Sequence, residues 1–338
     1  MLAHVIRGGM SESRHYGYLA IADTSGRRVY ATETADSLPA FLRSSAKPFQ
    51  ALALVESGAA DRFGLSETEL AIACASHSGE EPHVRLIRGM LERADLSPED
   101  LLCGSHLPFY EPAAHALIRE GRAPSNLHSN CSGKHTGMLL TCLQMGWPIE
   151  NYNLPEHPLQ KWFLELVAEF CNLPPAEVKT GMDGCSVVCF GMTVGQMATG
   201  FARLADPTYW EQAGKPEHAA AIARITRAMM AHPFFVSGTD REDKALMEAA
   251  PGRIFSKGGA EAVWCMGFPG RGLGLALKVD DGYSRAHAVI IAEALRQSGL
   301  LTESEIAAFT AHQVKPLRNV RGLVIGEIQA KFKLLPPD

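Results

Sequence analysis

A serine and a lysine stand three residues apart in the stretch RSSAKP at residues 43–48, just before an apolar run. Positions i and i+3 of a helix are neighbours, so the amine of Lys47 can approach the hydroxyl of Ser44. A hydroxyl becomes a strong nucleophile when a base takes its proton, and an uncharged lysine is such a base. The spacing therefore predicts an activated serine. The alternative is that Ser44 or Ser45 caps a helix while Lys47 is solvated, and Pro48 favours a tight or 3₁₀-like turn here.

Two further stretches bring a second hydroxyl and a second amine. The stretch ASHSGE at residues 75–80 ends a helical run in small polar residues, and Ser76 is its candidate hydroxyl; a helix cap followed by a loop is the alternative. The stretch FSKGG at residues 255–259 places Lys257 at the end of a strand. Its two glycines would let a substrate lie close to the backbone, although a simple turn is the alternative. The order of these pieces favours one shared site.

Four thiol and imidazole side chains have spacings that could suit a metal ion. Cys131 and His135 stand at i and i+4 in NCSGKHTG, and Cys185 and Cys189 have the same spacing downstream. Together they could form a Cys₃His zinc site. Neither spacing is the C-x₂-C of common zinc sites, so the alternative is that cysteines such as Cys189 and Cys142 are small buried residues. The NCSGKHTG stretch lacks the first glycine of a phosphate-binding loop, which excludes that function.

The elements that must position these side chains are strands at both ends of the chain and helices between them. Residues 16–22 and 28–32 favour a hairpin that leads to Ser44. Ser66 and Glu69 form a capping box before an apolar helix. Helical spacing recurs at residues 81–93, 155–170, 217–230 and 284–297, and strand-like runs stand at 253–257, 262–266, 272–279 and 322–328.

This order of elements predicts an α+β fold, an α/β sandwich in which an antiparallel sheet is built from both termini and carries a helical lobe. We expect one domain over residues 1–338, with 1–43 and 251–338 forming the sheet lobe and 44–250 the mainly helical lobe. The sequence has no repeat and no linker that would separate independent domains.

The composition excludes several classes of function. The chain has 338 residues, of which 46% are hydrophobic and 20% charged, as is ordinary for a globular protein. A formal net charge of −5 and the lack of any basic run give no support to nucleic-acid binding. The N-terminus lacks a signal-peptide pattern and no apolar run is long enough to span a membrane, so we expect a cytoplasmic protein without a membrane partner. The eight cysteines are then thiols or ligands and not disulfides.

Five motifs together resemble those of one enzyme family. They are RSSAKP at 43–48, ASHSGE at 75–80, HSNCSGKH at 128–135, GMDGC at 181–185 and SKGGAE at 256–261. On these motifs the chain resembles the L-asparaginase II family, the rhizobial-type serine–lysine enzymes that contain zinc. The resemblance implies a fold similar to serine β-lactamases and glutaminases, and a homodimer. It also implies hydrolysis of L-asparagine to L-aspartate and ammonia through a serine–lysine acyl-enzyme beside a zinc ion.

The resemblance implies two serine–lysine pairs in one pocket. Ser44 matches the nucleophilic serine and Lys47 its base, while Ser76 and Lys257 match the second pair. In this scheme Ser44 attacks the side-chain amide of asparagine, ammonia leaves, and water hydrolyses the resulting β-aspartyl ester. Lys47 is expected to lose its proton because it is buried beside Lys257 and a metal. Which of the two serines attacks stays open.

The zinc site that the resemblance implies differs from the Cys₃His pattern. Its ligands are Cys131, Lys134 and Cys185, so Lys134 replaces His135 and must be an uncharged amine. Cys189 has no role in this set and is assigned to the core. The implied substrate-binding residue is Asp183, with Arg43 and His135 lining the pocket beside it.

Two other functions stay open at this point. A glutaminase, another amidohydrolase or a β-lactam-recognising serine hydrolase of the same fold would use the same serines and lysines. A non-catalytic zinc-dependent binding protein would keep the cysteines, but the presence of both serines and both lysines argues against it. The sequence does not decide between asparagine and glutamine, nor whether catalysis needs the zinc.

Overall fold

Strands from both ends of the chain form antiparallel sheets, as the sequence predicts. The computed structural model describes residues 1–33, 35–36 and 38–336. The strands are β1 (Ala3–Arg7), β2 (Met10–His15), β3 (Gly17–Asp23), β4 (Arg28–Ala31), β5 (Pro39–Phe41), β6 (Lys179–Met182), β7 (Val188–Thr193), β8 (Phe255–Gly259), β9 (Val263–Phe268), β10 (Leu273–Val279), β11 (Leu317–Arg318) and β12 (Val324–Ala330). The five-stranded sheet has the order β4-β3-β10-β9-β8, so the N-terminal hairpin pairs directly with the C-terminal strands.

Two smaller sheets complete the arrangement. A four-stranded sheet, in the order β11-β12-β1-β2, again joins both ends of the chain. A three-stranded sheet, β5-β7-β6, includes two strands from the stretch predicted to be mainly helical. That prediction missed β7 because its residues are buried almost without interruption, and such a short apolar run has no strand periodicity to distinguish it from a buried helix. The single predicted sheet is thus three sheets, and the α+β class is confirmed.

Most helices lie between the first and last strands, also as predicted. Their bounds are α1 (Lys47–Glu56), α2 (Ala59–Arg62), α3 (Glu67–Ala73), α4 (Glu81–Glu92), α5 (Glu111–Arg119), α6 (Ser132–Met145), α7 (Pro158–Phe170), α8 (Val194–Leu204), α9 (Pro207–Gln212), α10 (Pro216–Ala231), α11 (Pro233–Val236), α12 (Glu242–Ala249), α13 (His287–Ser298) and α14 (Glu303–Gln313). The predicted capping box of Ser66 and Glu69 starts α3. In the described part of the chain, no helix has both the length and the apolar character needed to cross a membrane.

The division of the chain into a sheet lobe and a helical lobe stays a prediction. Its ranges, 1–43 with 251–338 and 44–250, include Thr34, Ser37 and residues 337–338, which lie outside the described residues.

Helix α8 packs directly on the five-stranded sheet because glycines on the sheet leave no side chain between them. A methyl group at Gly274 of β10 would lie 2.2 Å from the carbonyl oxygen of Ala198, and one at Gly267 of β9 would lie 2.8 Å from that of Phe201. Interiors are close-packed, so a side chain at either glycine would push the helix away. Phe201 of α8 also packs edge-on against Phe49 of α1, with ring centroids 5.5 Å apart. Helix α8 therefore joins the helical core to the sheet.

Helices α13 and α14 cover the opposite face of the sheet. Trp264 of β9, Leu275 of β10 and Ile291 of α13 are buried in this second core, and Phe309 of α14 packs edge-on against Trp264. Because helices lie on both faces, β9 is buried along its whole length. This layering holds the neighbouring strand β8, which carries Lys257, in a fixed position.

A buried ion-pair network connects α10 to α1 and α7. His218 Nδ1 lies 2.6 Å from Glu56 Oε1, and its Nε2 lies 3.4 Å from Glu169 Oε2. Burial acts to lower the pKa of His218, but the hydrogen bonds and charges of Glu56 and Glu169 outweigh it, so the pKa is raised. The charged imidazolium therefore stabilises the folded chain.

Removing Glu56 should make stability less dependent on pH. A group whose pKa is raised by folding contributes its full stability below its unfolded pKa and loses it as the pH rises through the folded pKa. We expect Glu56→Gln to lower the free energy of unfolding by about 1–3 kcal/mol near pH 6, and by less near pH 9. Denaturant titrations at both pH values measure the difference, and the exposed Glu150→Gln is the matched control. An equal loss at both pH values would contradict the role given to His218.

Candidate active site

A cavity of about 650 Å³ collects most of the side chains that the sequence singles out. Ser44 and Ser76 both line it. The other predicted residues on its wall are Arg43, Cys131, Asp183 and Cys185. Lys47 and Lys257 lie behind the wall, with exposed fractions of 1% and 0%. Residues from five separate motifs therefore meet at one place.

Lys47 begins α1 and directs its amine to Ser76. Its Nζ donates to the carbonyl oxygen of Ala75 at 2.5 Å, lies 2.9 Å from Ser76 Oγ, and lies 3.5 Å from the carbonyl oxygen of Asn130. Among the hydrogen bonds of the described residues, none connects Lys47 to Ser44, so the predicted contact between those two is not formed. The solvated lysine of the alternative is wrong too, because Lys47 is buried.

The backbone around Ser44 explains why the pairing differs. The expectation assumed one turn of α-helix, whereas Arg43–Ala46 form a 3₁₀ helix and the α-helix begins only at Lys47. The tight turn expected from Pro48 is thus confirmed. Neither helix start has a side-chain cap. Ser45 is engaged elsewhere, since its Oγ donates to the carbonyl oxygen of Lys257 at 2.7 Å.

The edge strand β8 lies directly against this 3₁₀ turn. A methyl group at Gly259 would lie 2.8 Å from the carbonyl oxygen of Leu42 and 3.3 Å from the backbone nitrogen of Ser44. Only glycine permits so close an approach, which brings β8 to the wall of the cavity. The predicted strand is confirmed, and the alternative of a simple turn is wrong.

Lys257 is held near its own backbone and near a carboxylate. Its Nζ donates to the carbonyl oxygen of Gly258 at 2.6 Å and lies 3.8 Å from Asp243 Oδ2. Burial lowers the pKa of Lys257 to about 7, with Asp243 acting in the opposite direction and Lys47 adding to the decrease. In the described part of the chain no hydrogen bond connects Lys257 to Ser76, so the second predicted pair is not formed either. A lysine with this pKa can gain or lose a proton at neutral pH.

Four hydrogen bonds fasten the loop 76–80 to the segment 236–239. They run from Ser76 N to Val236 O (3.0 Å), from Ser78 Oγ to Ser237 O (2.8 Å), and from Thr239 N and Thr239 Oγ1 to the Glu80 carboxylate (2.8 Å each). Gly238, at a φ of 110°, completes the contact, because a methyl group there would lie 2.4 Å from Ser78 Oγ. The hydroxyl of Ser76 is therefore positioned by both segments.

The two thiols and the amine of the implied zinc set are in contact. Lys134 Nζ lies 2.9 Å from Cys185 Sγ, and Cys131 and Cys185 line the same cavity. Interaction with Cys185 lowers the pKa of Cys131 well below its usual range, assisted by the charges of Lys47 and Lys134. Burial would lower the pKa of Lys134, but the charges on the two sulfurs raise it. The charge on each of these three side chains therefore depends on the charges of the other two.

The Cys₃His alternative is wrong. His135 Nδ1 lies 2.6 Å from the hydroxyl of Tyr152. Cys189 lies on β7, and its Sγ packs beside Gly181 of the neighbouring strand β6, 3.4 Å from the place that a Cβ atom would occupy there. Across the ranges that the structure describes, no group of three or more His, Cys, Asp or Glu side chains could hold a metal ion. His135 is also fully buried and does not line the cavity, contrary to expectation. One helical step from Lys134 turns it to another face of α6.

Arg43 and Asp183 form an ion pair on the cavity wall. The guanidinium Nε and Nη2 lie 3.0 and 2.8 Å from Asp183 Oδ1, and the backbone N–H of Gly184 donates to the same oxygen at 2.7 Å. Burial acts to raise the pKa of Asp183, but the hydrogen bond from Arg43 and the charge of Lys134 outweigh it, so the pKa is lowered. The wall thus presents a fixed positive group beside a fixed negative one, which suits a zwitterion.

A family model described as L-asparaginase II matches residues 3–330. The chain belongs to the L-asparaginase II family. The resemblance drawn from the five motifs is therefore confirmed.

The solved structures and curated proteins add little to this assignment. The crystal structure of Mglu in its native form in the presence of 4.3 M NaCl is 15% identical, with 87% of this chain and 64% of that chain covered and a TM-score of 0.37. Mglu in its tris and glutamate form is 14% identical, with 88% and 63% covered and the same TM-score of 0.37. The chain thus spans just under two thirds of those structures, and matches this weak carry no argument about function. No curated protein matches.

Two residues on the cavity wall of this L-asparaginase II family member escaped the sequence analysis. Asp243 lies in the first turn of α12, where an acidic residue is ordinary, and nothing in the sequence shows that it is buried. His106 lies in a loop, and its Nε2 accepts a hydrogen bond from the backbone N–H of Asn130 at 3.0 Å. Because the carbonyl of Asn130 faces Lys47, His106 helps to orient an acceptor of the lysine amine.

Proposed function

We propose that this chain is an L-asparaginase that hydrolyses L-asparagine to L-aspartate and ammonia through a seryl ester. The observation that carries the proposal is the contact of 2.9 Å between Lys47 Nζ and Ser76 Oγ at the wall of the cavity. Two carbonyl oxygens, of Ala75 and Asn130, accept N–H groups of the lysine. An uncharged Lys47 would then direct its lone pair to the Ser76 hydroxyl, as a base must.

In the proposed reaction Ser44 attacks the amide carbon. Its proton passes to Ser76, whose own proton passes to Lys47, and the same path in reverse delivers a proton to the departing ammonia. Ser44 is the hydroxyl more open to the cavity, and it adjoins Arg43 in the chain. Backbone N–H groups at the start of the 3₁₀ helix would bind the developing oxyanion. Water then hydrolyses the ester.

Substrate recognition follows from the ion pair on the wall. Arg43 would bind the α-carboxylate of the amino acid and Asp183 its α-ammonium group. Both are already oriented by each other, so little ordering is needed when the substrate binds. Uncharged amides lack both partners and should bind poorly.

Release of ammonia from L-asparagine tests the proposal. A panel of L-asparagine, L-glutamine and a chromogenic β-lactam separates it from the glutaminase and the β-lactam-recognising hydrolase. We expect asparagine to have the highest kcat/KM. A protein that hydrolyses another member of the panel at least about tenfold faster would replace the proposed substrate.

A zinc ion fits the cluster of Cys131, Lys134 and Cys185. Two sulfurs and one nitrogen are donors that zinc prefers, and the two cysteines line the cavity, which leaves room for a further ligand. When bound, zinc would supply positive charge beside the substrate and neutralise the two thiolates. Lys134 would have to release its proton to bind, although the sulfurs now favour its charged form.

Metal analysis of protein purified without added metal checks the site. We expect about one zinc per chain in the natural protein and in Cys189→Ser, and a loss of most of it in Cys185→Ser. Cys189 is the matched control because it is a thiol outside the cluster. Zinc retained by Cys185→Ser and lost from Cys189→Ser would refute the assignment. The homodimer and the cytoplasmic location stay predictions. A measurement of the mass of the protein in solution would test the homodimer.

A further inference from the structure

Asp243 is a buried carboxylate that, among the described residues, accepts its hydrogen bonds from strands β8 and β9 beside the cavity. It is 6% exposed and also lines the cavity. Oδ1 accepts from Ser256 Oγ at 2.6 Å, from Trp264 Nε1 at 2.8 Å and from Gly258 N at 3.0 Å. Burying a charge is costly unless it has hydrogen bonds and a counter-charge, so this number of donors needs an explanation.

The counter-charge is Lys257. Its Nζ lies 3.8 Å from Asp243 Oδ2, and the lysine has no exposed surface. Asp243 holds both sides of this residue in the chain, since it bonds to the side chain of Ser256 and to the backbone of Gly258. A movement of the carboxylate would therefore displace the lysine backbone as well as its electrostatic partner.

Several other charged or titratable groups face Lys257. Lys47 of α1 and Arg241, just before α12, both oppose its positive charge, while Cys131, just before α6, favours it. Cys74 at the end of α3 also lies within electrostatic range. Of the groups that favour the charged form, Asp243 has the largest effect. Removing it should leave a fully buried amine surrounded mainly by positive charge.

We propose that Asp243 is a positioning residue for the reaction, which holds Lys257 and the backbone amide of Gly258 at the wall of the cavity. Through this contact it supplies the counter-charge of the buried Lys257 amine. The competing explanation is that Asp243 only satisfies the buried indole N–H of Trp264. That explanation predicts a loss of stability without any change in how Lys257 titrates.

The test is Asp243→Asn, which keeps the size of the side chain and its ability to accept hydrogen bonds but removes the charge. The first readout is the titration of Lys257, followed by NMR on protein with labelled lysine and assigned with Lys257→Arg. We expect it to move to lower pH in Asp243→Asn. Trp264→Phe, which removes only the indole N–H, should leave it in place, as should Glu248→Gln on the exposed face of α12.

The second readout is kinetic and rests on the proposed function. In Asp243→Asn, the limb of the pH profile that Lys257 controls should shift to lower pH, whether the reaction needs the charged or the uncharged lysine. We also expect kcat to fall about tenfold or more while KM stays nearly constant. If asparagine is not hydrolysed at all, the proposed function fails while the NMR titration still decides the role of Asp243. An unshifted titration would overturn the proposal. Asp243→Ser, which leaves space for water, serves if Asp243→Asn does not fold.

Discussion

Replacement of Lys47 by methionine is expected to lower kcat/KM for L-asparagine by about 10³-fold or more, because it removes the only amine in contact with Ser76 among the described residues. Methionine has a similar length and no charge, so it should fill the buried position without leaving an unpaired ion. The free energy of unfolding of Lys47→Met should therefore be equal to or higher than that of the natural protein. An assay of ammonia release, combined with thermal unfolding, measures both quantities.

The control for this substitution is Lys244→Met on α12. Lys244 pairs with Glu248 on the protein surface, so its loss should leave kcat/KM and stability almost unchanged. If Lys47→Met kept more than about a tenth of the natural kcat/KM, a base other than Lys47 would have to accept the proton.

The second prediction with a large expected effect distinguishes the role of Ser44 from that of Ser76. Ser44→Ala should abolish turnover and leave no ester on the protein, because the attacking oxygen is gone. Ser76→Ala should lose about 10²–10³-fold in rate but still form the ester slowly at Ser44, since only the path to Lys47 is removed. Rapid acid quench followed by peptide mass spectrometry locates the aspartyl group. An ester found on Ser76 in the Ser44→Ala protein would exchange the roles of the two residues.

The N-terminal hairpin, the C-terminal strands and the main helices could be predicted because each depends on local sequence. The residues that determine the hairpin before Ser44, the capping box at Ser66 and the turn at Pro48 are close together in the sequence. The meeting of five motifs in one cavity could be expected only through resemblance to a family, since no local pattern shows that residues far apart in the chain lie together.

What could not be predicted depends on three-dimensional contact. The hydrogen-bond partner of Lys47 depends on the direction of its flexible four-carbon side chain. The spacing in the sequence predicted Ser44 as that partner, whereas the amine contacts Ser76 in the structure. The burial of Asp243 follows from the packing of α12 on β8, which no residue of the acidic helix start reveals. His135 illustrates the same limit, because its i+4 spacing from Cys131 suited a metal while its ring contacts Tyr152.

The attachment of loop 76–80 to segment 236–239 has a consequence for protein engineering. Segment 236–239 leads directly into Asp240 and Arg241, two wall residues that a designer would replace first to admit a larger substrate. Insertions or deletions before residue 240 would pull on the four hydrogen bonds that orient Ser76, so they would cost catalytic rate even where the new substrate fits. Substitutions at 240 and 241 that preserve the loop length are therefore the safer route to a changed substrate range.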